Sequence, residues 1–133
     1  MTDRRGLRQF AERLRTEVAG AREFTCLISD DAELLRLNRD FLGRDYPADV
    51  LSFPSGAAHG PLGDIAISAG RAREQAAALG HGIGDEIRVL MLHGLLHLLG
   101  MDHETDRGAM RRAETAWRVK LDLPAALVER TRR

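Results

Sequence analysis

The sequence has one cysteine, one tryptophan, a single lysine and no surplus of either charge, and each shortage closes off a class of protein. A lone thiol, Cys26, cannot make an internal disulfide, so the chain is no disulfide-stapled scaffold and fits a reducing compartment. Set in Phe24-Thr25-Cys26-Leu27-Ile28, that thiol reads as a small buried hydrophobe rather than a nucleophile. Twenty basic residues are matched by 20 acidic ones, so net charge supplies no case for a nucleic-acid partner. Because Lys120 is the only lysine, the positive side chains are nearly all arginine. Guanidinium is the better fork for phosphate, although an arginine bias inherited from a GC-rich genome explains it at least as well. No apolar run approaches the roughly 20 residues that span a bilayer. The polar start Met1-Thr2-Asp3-Arg4-Arg5 is followed by no apolar signal core, so no membrane partner is expected and the cytoplasm is the expected location.

What is present is the composition of a folded protein, 44% hydrophobic and 30% charged. A length of 133 residues fits one domain, expected over 1–133; a chain of this size buries roughly two-thirds of its unfolded surface. Leu7, Phe10, Ala11, Leu14 and Val18 recur at helical spacing and predict an amphipathic helix over residues 3–19. Residues 23–29 read as a buried strand, after which Asp30 or Asp31 caps a helix carrying Leu34, Leu35, Asn38 and Phe41 until Gly43 stops it. Asp49-Val50-Leu51-Ser52-Phe53-Pro54 is a short strand ended by proline, and Gly63-Asp64-Ile65-Ala66-Ile67-Ser68 alternates like a half-buried one. A helix follows over residues 69–78, then Gly80-His81-Gly82, then a longer helix opening at Asp85. That helix is apolar nearly all round, so it should run through the middle of the fold. Ala109, Met110, Ala113, Ala116 and Trp117 predict one more helix against the core.

Two histidines interrupt the apolar helix. His93 and His97 are four residues apart, so they share a face and can share a metal. Gly100 permits the left-handed turn that would end the helix and carry His103 back toward them. The string His93-Gly94-Leu95-Leu96-His97-Leu98-Leu99-Gly100-Met101-Asp102-His103 has the histidine and glycine spacing of the metzincin zinc signature. Three protein ligands leave a coordination position for water, which marks catalytic rather than structural zinc. His93, His97 and His103 are therefore the candidate metal ligands and, through the metal, the candidate catalytic residues, with Zn2+ expected at one per chain. The alternative, core histidines bonded to backbone, suits one buried histidine better than three at this spacing. His59 and His81 read instead as solvated loop residues.

Gly94 does not fit a peptidase. Zinc proteases of this pattern carry a glutamate after the first histidine as general base, and glycine cannot accept a proton. Phosphodiester cleavage needs less help with its leaving group and gains from a metal that polarises a phosphoryl oxygen. Asp64, Asp85, Asp102 and Glu104 are the carboxylates that could assist, each with surface charge, cap or turn as its alternative role. Asp49 and Ser52 read as residues that order their strand through side chain to backbone bonds. Arg107, Arg111, Arg112 and Arg118 form either a basic helical face near the site or ordinary solvated charge balanced by Glu114 and Asp122.

The histidine string followed by Glu104, with Asp49–Pro54 and Leu62-Gly63-Asp64-Ile65-Ala66-Ile67 in the same order, resembles the YbeY family of bacterial endoribonucleases, the rRNA maturation factors. The resemblance covers about residues 26–104. It implies a small α/β (α+β) fold, zincin-like, with a mixed sheet of about four strands and helices packed around a central metal-bearing helix. It also implies zinc on the three histidines, and cleavage of single-stranded RNA, not DNA, in rRNA maturation and ribosome quality control, with the small ribosomal subunit or assembly factors as partners. Two positions depart from the family. Where members commonly have arginine after the aromatic residue of the preceding helix, Leu42 stands here, leaving Arg39 or Arg44 as the candidate substrate-binding residue. The usual threonine before Asp49 is Ala48. Two other readings stay open: a ribosome-associated assembly factor with a largely structural metal, and a metal hydrolase of another substrate.

Overall fold

A computed structural model describes residues 4–101 and 107–124. Helix α1 (Arg4–Glu17) buries Leu7, Phe10 and Leu14 and turns its arginines to water, as its periodicity predicts. Strand β1 (Phe24–Ser29) leads to α2 (Asp31–Leu42). Asp30 caps that helix by accepting the Glu33 N–H at 2.8 Å, and Gly43, at φ 68°, ends it. Strands β2 (Val50–Pro54) and β3 (Gly63–Ser68) precede α3 (Ala69–Leu79), α4 (Ile83–Leu98) and α5 (Ala109–Lys120). Helix α4 begins two residues before the expected Asp85. Ser68 closes β3 and caps α3 in one step, its hydroxyl accepting the Arg71 N–H at 3.1 Å.

The strands form one mixed sheet in the order β1-β3-β2, with β3 parallel to β1 and antiparallel to β2. Among the described residues the sheet has three strands, one fewer than the resemblance implied; they are the three segments with strand pattern in the sequence. Central β3 is not half-buried as its alternation suggested. Ile65, Ala66, Ile67 and Ser68 are all at most 3% exposed, because helices cover both faces. Ala66 packs with Leu51 and with Leu34 of α2, while Ile65 and Ile67 join the larger core built on α4.

Helix α4 touches β2, β3, α1, α3 and α5, which is why its apolar character runs nearly all round. Leu90, Leu92, Leu95 and Leu96 are each at most 1% exposed, and burial of each contributes about 1.5–3 kcal/mol relative to leaving it in water. The helix stops at Gly100, whose φ is 94°. Its N–H donates to the His97 carbonyl at 2.9 Å and the Met101 N–H to the Leu96 carbonyl at 3.0 Å, the paired bonds of a left-handed helix cap. No helix among the described residues is long and apolar enough to cross a membrane.

Candidate active site

Four residues apart on α4, His93 and His97 face each other with their Nε2 atoms 3.1 Å apart. Their rings meet edge to face, at 4.7 Å between centroids and 74° between planes. The other nitrogen of His93, Nδ1, lies 2.9 Å from Oε1 of Glu114 on α5. A carboxylate accepts, so Nδ1 donates to Glu114, and in the tautomer that does so Nε2 presents a lone pair on the side of His97. Glu114 is 2% exposed, and its second oxygen lies 3.7 Å from Nη2 of Arg118, itself buried. One turn of α5 thus places a buried cation behind a buried anion behind an imidazole.

This arrangement suits a metal ion. Two nitrogens bound to one tetrahedral ion at about 2.0–2.1 Å lie roughly 3.3 Å apart, close to the separation seen between the two Nε2 atoms. A histidine ligand usually donates its other N–H to a carboxylate, which fixes its tautomer and raises its basicity; Glu114 supplies that acceptor. Among the described residues no third His, Cys, Asp or Glu completes a cluster. The third expected ligand, His103, lies outside the described residues, as do Asp102 and Glu104.

The helix carrying the histidines lies hard against the sheet. A Cβ on Gly94 would come 2.8 Å from Cγ2 of Ile65 on β3 and 3.2 Å from Oγ of Ser52 on β2. Gly94 is therefore a close-approach glycine, and any side chain at this position would force the Ile65 side chain to shift. Ser52 Oγ donates to the Gly94 carbonyl at 2.9 Å, pinning β2 to α4 between the two histidines. Asp49 accepts the Val50 N–H at 2.8 Å and a Gln75 side-chain N–H at 3.1 Å. Both residues thus order the strand, as expected from the sequence.

A cleft of about 620 Å³ is lined by His93 and His97 together with Asn38, Leu42, Arg44, Tyr46, Ala48 and Asp49. Of the two arginines expected to serve the substrate, Arg44 lines this cleft. Arg39 does not, and its guanidinium lies 3.7 Å from Asp45. Leu42 borders the cleft. Neither Asp64 nor Asp85 does.

The family model described as Endoribonuclease YbeY matches residues 4–121. The chain belongs to the YbeY endoribonuclease family. An Endoribonuclease YbeY of Solibacter usitatus is 60% identical over 128 residues, 96% of this chain and 85% of that protein. An Endoribonuclease YbeY of Nautilia profundicola is 49% identical over 110 residues, 82% of this chain and 79% of that one. The solution structure of TM1509 from Thermotoga maritima matches the fold with a TM-score of 0.61 at 25% identity, covering 85% of this chain and 77% of that one. The YbeY name is that of an endoribonuclease, a hydrolase whose substrate is RNA.

Measured against the YbeY resemblance drawn from the motifs, the structure adds one residue to the site and corrects two others. Glu114 is buried on α5 rather than a solvated surface charge; its i−4 relation to Arg118 and the apolar Met110 and Ala113 beside it signal that this face turns inward. Arg118 is 3% exposed rather than part of a basic face, whereas Arg107, Arg111 and Arg112 are exposed. His81 is not a solvated loop residue: its side chain is 10% exposed and its Nε2 lies 2.7 Å from fully buried Glu86. His59 is exposed as expected. Burial pushes the Cys26 thiol up to about 12, so it stays protonated and is no nucleophile near neutral pH.

Proposed function

We propose that the chain is a zinc-dependent endoribonuclease that cleaves single-stranded RNA in rRNA maturation and ribosome quality control, as one zincin-like cytoplasmic domain over residues 1–133. One zinc ion per chain would be held by His93, His97 and His103. When bound, the ion supplies a Lewis acid that polarises a phosphoryl oxygen and shifts the ionisation of water toward neutrality. The chain's own side chains do the rest. Glu114 holds the His93 tautomer that turns Nε2 to the cleft. Ser52 fixes the separation of β2 from α4, and Arg44 offers the cleft a cation for the RNA backbone. The small ribosomal subunit or its assembly factors are the partners in this proposal.

The observation that carries it is the 3.1 Å approach of the two Nε2 atoms with Glu114 behind His93. Peptide hydrolysis is disfavoured because the position of the protease glutamate is filled by the packing of Gly94 on Ile65. The test is incubation of zinc-loaded protein with single-stranded RNA and, separately, with casein. RNA cleavage that disappears in His97→Ala is the expected result. Casein cleavage would favour a hydrolase of another substrate. Neither activity would favour a ribosome-associated assembly factor with a structural metal, a second reading that Leu42 at the cleft margin supports.

A further inference from the structure

Among the described residues, the cleft that His93 and His97 line is also lined by the aromatic ring of Tyr46, which is 53% exposed. The turn that carries it is anchored on Asn38. Asn38, fully buried, donates its side-chain N–H to the Tyr46 carbonyl at 2.8 Å. The backbone carbonyl of Asn38 accepts the Arg44 N–H at 3.2 Å. Pro47 follows Tyr46 and restricts it to extended backbone. The half-exposed ring is therefore presented from an anchored turn.

Beside it, Arg44 lines the same cleft, and among the described residues Arg44 forms no ion pair, in contrast to Arg39 with Asp45. An exposed aromatic face next to an unengaged guanidinium, across a cleft from two imidazoles, matches the chemistry of a nucleotide: a base with a flat face and a phosphate one bond system away. In a duplex both faces of each base are covered by its neighbours, so only an unpaired base can offer one.

Resting on the endoribonuclease proposal above, we propose that Tyr46 is a stacking platform for one unpaired base, with Arg44 on the adjoining phosphate, and that this pair gives the cleft its selection for single-stranded RNA. Every base has such a face, so the platform confers strand selectivity with little sequence preference.

The test uses the full chain with Tyr46→Ala, Tyr46→Leu, Tyr46→Phe and Tyr46→Trp, and a labelled single-stranded RNA carrying one abasic position moved along its length. Binding is read by fluorescence anisotropy without added zinc, and KM and kcat are read after zinc loading. Tyr46→Ala and Tyr46→Leu are expected to weaken binding and raise KM about 10-fold with kcat unchanged, while Phe and Trp stay within about 2-fold of the parent. At one abasic position the difference between parent and Tyr46→Ala should vanish, an outcome that a merely structural tyrosine would not produce. Equal binding by Tyr46→Ala, a loss in Phe as large as in Ala, or a difference that persists at every abasic position would overturn the platform while leaving the nuclease intact. A parent protein that neither binds nor cleaves single-stranded RNA would overturn the nuclease proposal itself, and the platform with it.

Discussion

The two walls of the cleft are built differently. On the α4 side, His93 is backed by Glu114 and Arg118, at 2% and 3% exposure, and Ser52 clamps the helix to the sheet between the histidines. Elsewhere in the cleft, Leu42, Arg44 and Tyr46 are exposed, and Asn38 anchors the backbone of Arg44 and Tyr46. Fixed imidazoles suit a metal, whose bond lengths tolerate little error. Exposed long side chains suit a polymer whose bases vary. The contrast teaches that the chain invests its packing behind the histidines and leaves Leu42, Arg44 and Tyr46 exposed.

That contrast can be broken at several points. The largest expected effect is at Glu114. Glu114→Gln removes the buried anion between His93 and Arg118, and should cost about 3–5 kcal/mol in chemical denaturation. It should also weaken zinc binding roughly 10- to 100-fold in a chelator competition. Gly94→Ala comes next. It gains about 1 kcal/mol of helix propensity, but its Cβ would lie 2.8 Å from Ile65 Cγ2, and the overpacking of about 1–3 kcal/mol should leave a lower melting temperature. Ser52→Ala removes one hydrogen bond to the Gly94 carbonyl and should cost about 1 kcal/mol. The smallest effects belong to the far wall. Arg44→Ala should leave stability within about 0.5 kcal/mol yet lower the salt dependence of RNA binding by about one phosphate contact. Arg39→Ala, with its guanidinium beside Asp45, should leave that slope unchanged; equal slopes for the two variants would erase the assigned difference between them.

Much of this was legible in the sequence because it is local. Helical spacing located α1, α2, α4 and α5, and the end signals Asp30, Gly43 and Gly100 each do what their side chains or conformational freedom allow within a few residues. The pairing of His93 with His97 is local in the same sense, being one turn of helix. Contacts across the fold were hidden. Glu114 reaches His93 over 21 residues, and the 5-residue reach from His81 to Glu86 crosses the start of a helix that buries one end of the pair. The burial of β3 on both faces depends on α2 lying over Ala66, which no alternation within Gly63–Ser68 encodes. Gly94 showed only that a glutamate was missing; the closeness of Ile65 supplies the reason.

The most direct test of the metal wall is a zinc titration of the tag-free chain followed by metal analysis after dialysis. The parent should retain one equivalent of zinc and His97→Ala should retain none, with both variants giving the same circular dichroism spectrum before zinc is added. A parent that stays metal-free when zinc is offered, or a His97→Ala variant that holds zinc as tightly as the parent, would contradict the assignment of His93 and His97 to a shared ion.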